Sequence, residues 1–282
     1  MVDTATAPSG NAWTRLANSN PIMEFIDVTL RGSGQVIFMD NPLTGLLNFV
    51  AMFVGAARGG TSFEVAIGSV IGTMVSTAMA YLLKANRGNL KAGIYGFNGM
   101  LVGACLPTFL AANPLMWLFL VVGSAVSTIV IMAVANFLAP YKMPAFTFPF
   151  VLTCWLIVLY AKKITGLPPS AGGPLPEGGF NFITAGLNSV SQVWFVADWV
   201  AGIIFLVALA VESIWCFALT ALGAFLGAWF AYACGADVAA VNFGLWGFTA
   251  ALTAPAVGCV FMKAGPKTFI YAVLSIFVTV LV

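Results

Sequence analysis

Apolar residues run in long blocks along this chain, separated by short polar joints. Clear blocks cover about 42–57, 63–83, 93–112, 115–138, 145–161, 199–211, 213–234, 244–262 and 268–282, and they predict nine membrane-crossing helices. Most are roughly 15–25 residues long, which suits a helix spanning a bilayer. The alternation over roughly 10 residues that marks a barrel strand is missing. Two further blocks are mixed. Residues 20–38 contain Glu24, Asp27 and Arg31, too many charges for a helix facing lipid. A half-helix dipping into the protein and an amphipathic surface helix both accommodate them. Residues 180–197 form the second mixed block. Between the two sets lies 166–179, in which nine of fourteen residues are Gly or Pro, the pattern of a linker.

Composition narrows the class. Among 282 residues, eleven are Lys or Arg and nine are Asp or Glu; charged types make up 7% and apolar types 61%. A soluble domain of this size carries about 25% charged residues, so a soluble enzyme is excluded. The net charge of +2 does not suggest a nucleic-acid partner. Histidine is absent, which removes the usual metal ligand and proton shuttle. No cofactor is expected. The five cysteines, Cys105, Cys154, Cys216, Cys234 and Cys259, form no CxxC and read as small residues facing core or lipid.

The two halves repeat each other. Gln35-Val-Ile-Phe38 recurs as Gln192-Val-Trp-Phe195, an offset of 157. Gly93-Ile-Tyr-Gly-Phe97 recurs as Gly244-Leu-Trp-Gly-Phe248, and Leu101 as Leu252, at offset 151. Gly72, Ala80 and Tyr81 recur as Gly223, Ala231 and Tyr232 at that same offset. Matches in one order at nearly one offset indicate duplication. Five spans in the first half are an odd number, so the second half enters from the opposite side, as an inverted repeat. With the N-terminus on side A, that side receives Arg15, Arg31, Lys84, Arg87, Lys91, Lys142, Lys263 and Lys267; side B receives Arg58, Lys162 and Lys163. The excess makes side A cytoplasmic.

The expected fold is therefore an all-α integral membrane protein of two inverted repeats, each of about five transmembrane helices plus a re-entrant half-helix. Residues 1–19 form a polar N-terminal tail, 20–161 the first repeat, 162–179 the linker and 180–282 the second repeat. Residues 144–161 have no counterpart in the second half, so the second repeat is expected to be one helix short, through natural incompleteness or truncation of the chain.

Several side chains could carry chemistry. Gln35 and Phe38 are three apart and share a helix face, as do Gln192 and Phe195. A buried amide is costly unless hydrogen-bonded, and the same costly pair in both halves points to a site on the pseudo-two-fold axis. For one Gln alone, a bond pinning its half-helix to neighbouring backbone would suffice. As acceptors, both glutamines should tolerate Gln→Glu better than Gln→Leu. Phe97 and Phe248 each follow Gly-x-x-Gly, which presents a flat ring at a fixed height. Rings matched across the halves would form a slot for a planar polar solute. Thr147 lies between Pro144 and Pro149, where freed carbonyls and a hydroxyl can line a cavity. Small residues at Gly68, Gly72, Ser76 and Ala80, and at Gly223, Gly227 and Ala231, are a helix-packing stripe. Glu64 and Glu212 are the candidate intramembrane acids, more readily placed at the interface where each hydrophobic stretch begins.

Residues 34–45, GQVIFMDNPLTG, with 93–103, GIYGFNGMLVG, and 143–150, MPAFTFPF, resemble the urea transporter family. The resemblance covers roughly residues 20–282. It implies two inverted repeats, a homotrimer in the cell (inner) membrane with one pore per subunit, and passive conduction of urea across the lipid bilayer. It also implies roles by position. Gln35 and Gln192 would belong to polar ladders. Phe38, Phe97, Phe195 and Phe248 would form slots at the pore's ends. Leu101, Leu252, Val193 and Thr147 would line its narrow middle. Two positions depart from the pattern: Thr249 stands where the family carries Asn, and the second proline–threonine motif is absent. The alternative function is an ion-coupled secondary transporter of a small polar solute, since inverted repeats and broken helices occur there too.

Overall fold

The computed structural model describes residues 12–282, and among them the chain is all-helical, with no β-strand and one isolated antiparallel bridge between Leu110 and Pro169. Fourteen α-helices follow one another. The first half holds α1 (Ala12–Ser19), α2 (Pro21–Gly34), α3 (Pro42–Ala57), α4 (Phe63–Leu82), α5 (Arg87–Lys91), α6 (Gly96–Phe109), α7 (Pro114–Leu138) and α8 (Phe148–Ala161). The second holds α9 (Phe182–Ser191), α10 (Trp199–Ala210), α11 (Ile214–Ala233), α12 (Val238–Asn242), α13 (Phe248–Pro255) and α14 (Pro266–Leu281).

A helix stands in each of the nine apolar blocks. Three helical stretches, Phe63–Leu82, Pro114–Tyr141 and Ile214–Ala233, are long and apolar enough to cross a bilayer alone. Two bent pairs add to them. The helix from Pro21 to Ile37 turns by 74° into α3, and that from Phe182 to Trp194 turns by 69° into α10. α2 buries Val28, Thr29, Gly32, Ser33 and Gly34 against the protein, while Pro21, Ile22 and Ile26 stay exposed. Starts are local in origin. Asn20, Asn41 and Asn113 each accept a backbone N–H bond at an N-cap and are each followed by proline, the residue whose missing N–H is harmless in a first turn. α6 and α13 start later than their apolar blocks because Gly93 (φ +76°) and Gly244 (φ +89°) are left-handed. α8 begins only at Phe148, after a proline-broken stretch in which Phe146 has φ +48°.

Small residues bring the long helices together. A Cβ on Gly72 would strike the Gly99 carbonyl, and one on Gly103 would strike that of Gly68. α4 and α6 therefore cross backbone to backbone, as the small-residue stripe predicts. On α11, a Cβ on Gly223 would strike the Ala250 carbonyl of α13. α3 and α10 lie antiparallel. Thr44 Oγ1, near the start of α3, donates to Ala208 O near the end of α10 at 2.8 Å. Arg58, just past the end of α3, pairs with Asp198, the N-cap of α10, at 2.9 Å.

Residues 12–19, read from sequence as part of a polar tail, form α1 against α2. Trp13 Nε1 donates to Asp27 at 2.6 Å, which supplies the carboxylate with a partner in a half-buried place. Residues 1–11 lie outside the described ones. All five cysteines are free; Cys216 and Cys259 sit side by side, Sγ to Sγ 2.8 Å.

Candidate functional site

The two half-helices end alike. α2 closes in a 3-10 turn, Gln35–Ile37, and α9 in another, Gln192–Trp194. The residue after each is a left-handed phenylalanine, Phe38 at φ +66° and Phe195 at φ +62°. Phe38 N–H donates to Gln35 O and Met39 N–H to Gly34 O; Phe195 N–H donates to Gln192 O and Val196 N–H to Ser191 O. A side chain in this region costs roughly 1–2 kcal/mol. Such strain held twice, on the same residue type, calls for a role for the ring.

Each glutamine amide is oriented by one bond. Gln35 Nε2 donates to Ala92 O at 2.8 Å, and Gln192 Nε2 donates to Phe243 O at 3.1 Å. A carbonyl partner can only accept, so the amide nitrogen must face it and the oxygen must face away. Among the described residues neither Oε1 receives a hydrogen bond, and both side chains are half-buried. The amide thus braces its half-helix with one atom and leaves an acceptor free with the other. The accepting carbonyls directly precede Gly93 and Gly244. A Cβ on either glycine would strike half-helix backbone, at Gly32 N or at Asn188 C. Both turns therefore need glycine for conformation and for contact.

The apolar candidates meet in one cluster. Phe97, Leu101 and Val193 are buried in it, and Phe38, Phe195, Phe248 and Leu252 pack against it half-exposed. Thr147 immediately precedes α8, half-buried, and its hydroxyl makes no hydrogen bond among the described residues. It joins the cluster through its neighbour Phe146, whose ring lies 6.3 Å from that of Phe38. Asn98, wholly buried, holds this turn in place: its Nδ2 donates to Phe146 O at 3.3 Å, and its Oδ1 accepts from Phe150 N–H at 3.0 Å. Thr249, at the corresponding place in α13, is exposed and makes no such bonds among the described residues.

Glu64 stands in the first turn of α4, and Glu212 between α10 and α11, where burial and then Asp40 raise its carboxyl above the usual range. Beside Gln35's partner Ala92 lies a polar cavity of about 370 Å³, lined also by Asp27, Arg31, Asp40 and Lys91. Arg31 is paired there with Asp27 at 2.8 Å and Asp40 at 2.7 Å. That cavity is lined by charged side chains and by no aromatic ring, whereas the half-helix ends offer the uncharged acceptors Gln35 Oε1 and Gln192 Oε1 next to phenylalanine rings, which suits a planar, uncharged solute. No group of three or more metal-ligating side chains exists among the described residues.

The family model described as urea transporter matches residues 26–282. The chain belongs to the urea transporter family. Urea transporter 1 of Mus musculus is 28% identical to it over 264 residues, 89% of this chain and 67% of that protein. Urea transporter 1 of Ovis aries is 28% identical over 265 residues, and that of Rattus norvegicus 27% over 264, with the same coverage. Membership in this family and the apolar helices make the chain a multi-pass membrane protein and a transporter, not an enzyme.

Sequence reading of this urea transporter family member missed the acceptors Ala92 and Phe243. A carbonyl leaves no trace in a residue's identity, but both sit just ahead of the repeated Gly-x-x-Gly, which was legible. It also missed the ring partners Phe109, Phe146, Phe150 and Phe261, indistinguishable in sequence from lipid-facing phenylalanines.

Proposed function

We propose that the chain conducts urea passively through a pore between two inverted repeats. Gln35, Phe38, Phe97, Leu101 and Thr147 would serve it from the first repeat, and Gln192, Val193, Phe195, Phe248 and Leu252 from the second. The observation that carries this is the matched pair of half-helix ends, each with a free amide oxygen beside a left-handed phenylalanine, in a member of the urea transporter family. The antiparallel packing of α3 and α10 supports the inverted arrangement. Urea is planar and neutral, with four N–H donors and one strong acceptor. Stripping its water costs about 1–3 kcal/mol for each hydrogen bond left unmade. Amide and hydroxyl oxygens replace those bonds, while rings cover its faces. The repeats divide the chain at 20–161 and 180–282, with 162–179 as linker. The assembly proposed is a homotrimer in the cell (inner) membrane with a cytoplasmic N-terminus.

Flux of labelled urea into proteoliposomes tests this directly. Uptake should equilibrate down the urea gradient and ignore imposed sodium or proton gradients. Concentrative uptake driven by either ion would replace the channel reading with the ion-coupled one.

A further inference from the structure

The left-handed phenylalanine of each half meets a ring from the other half. Phe38 lies 5.7 Å from Phe261, with ring planes at 83°. Phe195 lies 6.3 Å from Phe109, with ring planes at 87°. Both contacts are edge-to-face, the arrangement favoured by aromatic quadrupoles. Each crosses between halves in the opposite sense to the other.

The two partners also hold matching places. Phe109 is the last residue of α6, the helix that carries Phe97 and Leu101 near its start. Phe261 follows α13, the helix that carries Phe248 and Leu252 near its start. The repeat offset of 151 would pair Phe109 with Val260, not Phe261. The structure explains the extra residue. α13 runs into a π-helical turn, Ala256–Val260, closed by Phe261 N–H on Ala256 O at 2.9 Å. A π-turn takes up about one residue more than an α-turn. It therefore carries Phe261, rather than Val260, to the place Phe109 holds in the first half. Phe109 is fixed from the other side: its carbonyl accepts from Ser170 N–H at 3.0 Å, and Ala111 N–H donates to Pro168 O at 2.9 Å.

We infer that Phe109 and Phe261 are specificity-determining residues, each setting the width of one end of the pore from across the repeat boundary. Edge-on contact alone does not single these rings out, since Phe146 meets Phe38 and Phe150 meets Phe195 in the same way; what a lipid-filling role does not explain is why a π-turn restores the match of Phe261 with Phe109 in the second half. α6, and α13 with its π-turn, then each serve both ends. Each presents Phe97 or Phe248 to its own half's slot and Phe109 or Phe261 to the other's. The solute class is a planar amide without N-alkyl groups, because a methyl group would meet the added ring edge. This inference rests on the urea reading above.

The test compares N,N′-dimethylurea with urea in the same proteoliposomes, so that the ratio is independent of how much protein folds. Phe109→Ala and Phe261→Ala should each raise the dimethylurea-to-urea ratio about tenfold, the size of one methyl's discrimination in an apolar pocket. Phe109→Tyr and Phe261→Tyr keep the ring and should retain the wild-type ratio. Phe137→Ala, at a phenylalanine 72% exposed on α7, should also retain it. Wild-type urea flux with unchanged ratios in both alanine variants would overturn this inference alone. Absence of urea flux in the wild type would overturn the urea reading and this inference together.

Discussion

Gln35 and Gln192 each do two things with one amide, and this changes what a substitution there should do. Replacing either by leucine removes the bond to Ala92 O or Phe243 O and the free acceptor together. One unmade hydrogen bond of about 1–3 kcal/mol predicts urea flux, per folded protein, slower by roughly five- to a hundred-fold, with a lowered melting temperature as well. From sequence, Gln→Glu is expected to be mild because an oxygen acceptor remains. The observed geometry points the other way for stability. An ionised carboxylate has no donor for the Ala92 or Phe243 carbonyl and would place oxygen against oxygen. Gln→Glu should therefore lose as much thermal stability as Gln→Leu while retaining more of the normalised flux. Thermal unfolding in detergent and proteoliposome flux, measured on the same preparations, separate the two roles.

The long helices depend on glycines whose hydrogens face carbonyls. Gly72→Ala would push a methyl group into the Gly99 carbonyl, and Gly223→Ala into that of Ala250. Neither backbone can yield without opening the α4–α6 or α11–α13 crossing. Each substitution should cost roughly 1–3 kcal/mol, as overpacking does. Gly173→Ala, in the linker with no atom within 4 Å of the added methyl, should cost almost nothing. Thermal inactivation of the three variants side by side checks this; equal stability of Gly72→Ala and Gly173→Ala would contradict the close crossing. The stripe was readable in advance because close approach demands small residues at helical spacing. The partner helix and the facing carbonyls were not.

Orientation in the bilayer is a property of the whole chain. The basic residues favour side A as cytoplasmic, although Arg31 is less of a topological signal than its charge suggests, since Asp27 and Asp40 neutralise it. The linker should then face outward. Gly173→Cys is the suitable probe: the position is exposed and open, whereas neighbouring Ser170 is held through its backbone to Phe109. Cys234 is free and exposed, so the probe is placed in a Cys234→Ser background, where a membrane-impermeant thiol reagent should label the cysteine at 173 in intact cells. Labelling only after permeabilisation would invert the topology. The halves are tied at this scale by Arg58 to Asp198 and by Thr44 to Ala208. An Arg58→Ala variant, which leaves Asp198 without its ion pair, is the most direct probe of that joint.

What the sequence determined by itself is whatever rests on local physics. Long runs without charge and without barrel alternation had to be helices in lipid, because only a helix or a closed barrel satisfies its own backbone there. The asparagine–proline pairs set helix starts, and the repeated Gln-x-x-Phe and Gly-x-x-Gly marked the positions that now surround one cluster. The tertiary structure alone decided which atom of each glutamine is committed, because that depends on a carbonyl more than fifty residues away. It alone decided that α8 is held by Asn98, and that Phe38 meets Phe261 while Phe195 meets Phe109. Such pairings join residues far apart in the chain, and the π-turn that aligns one of them has no local signature. Hydrophobic pattern states that a ring is buried or lipid-facing; only the fold states which ring it faces.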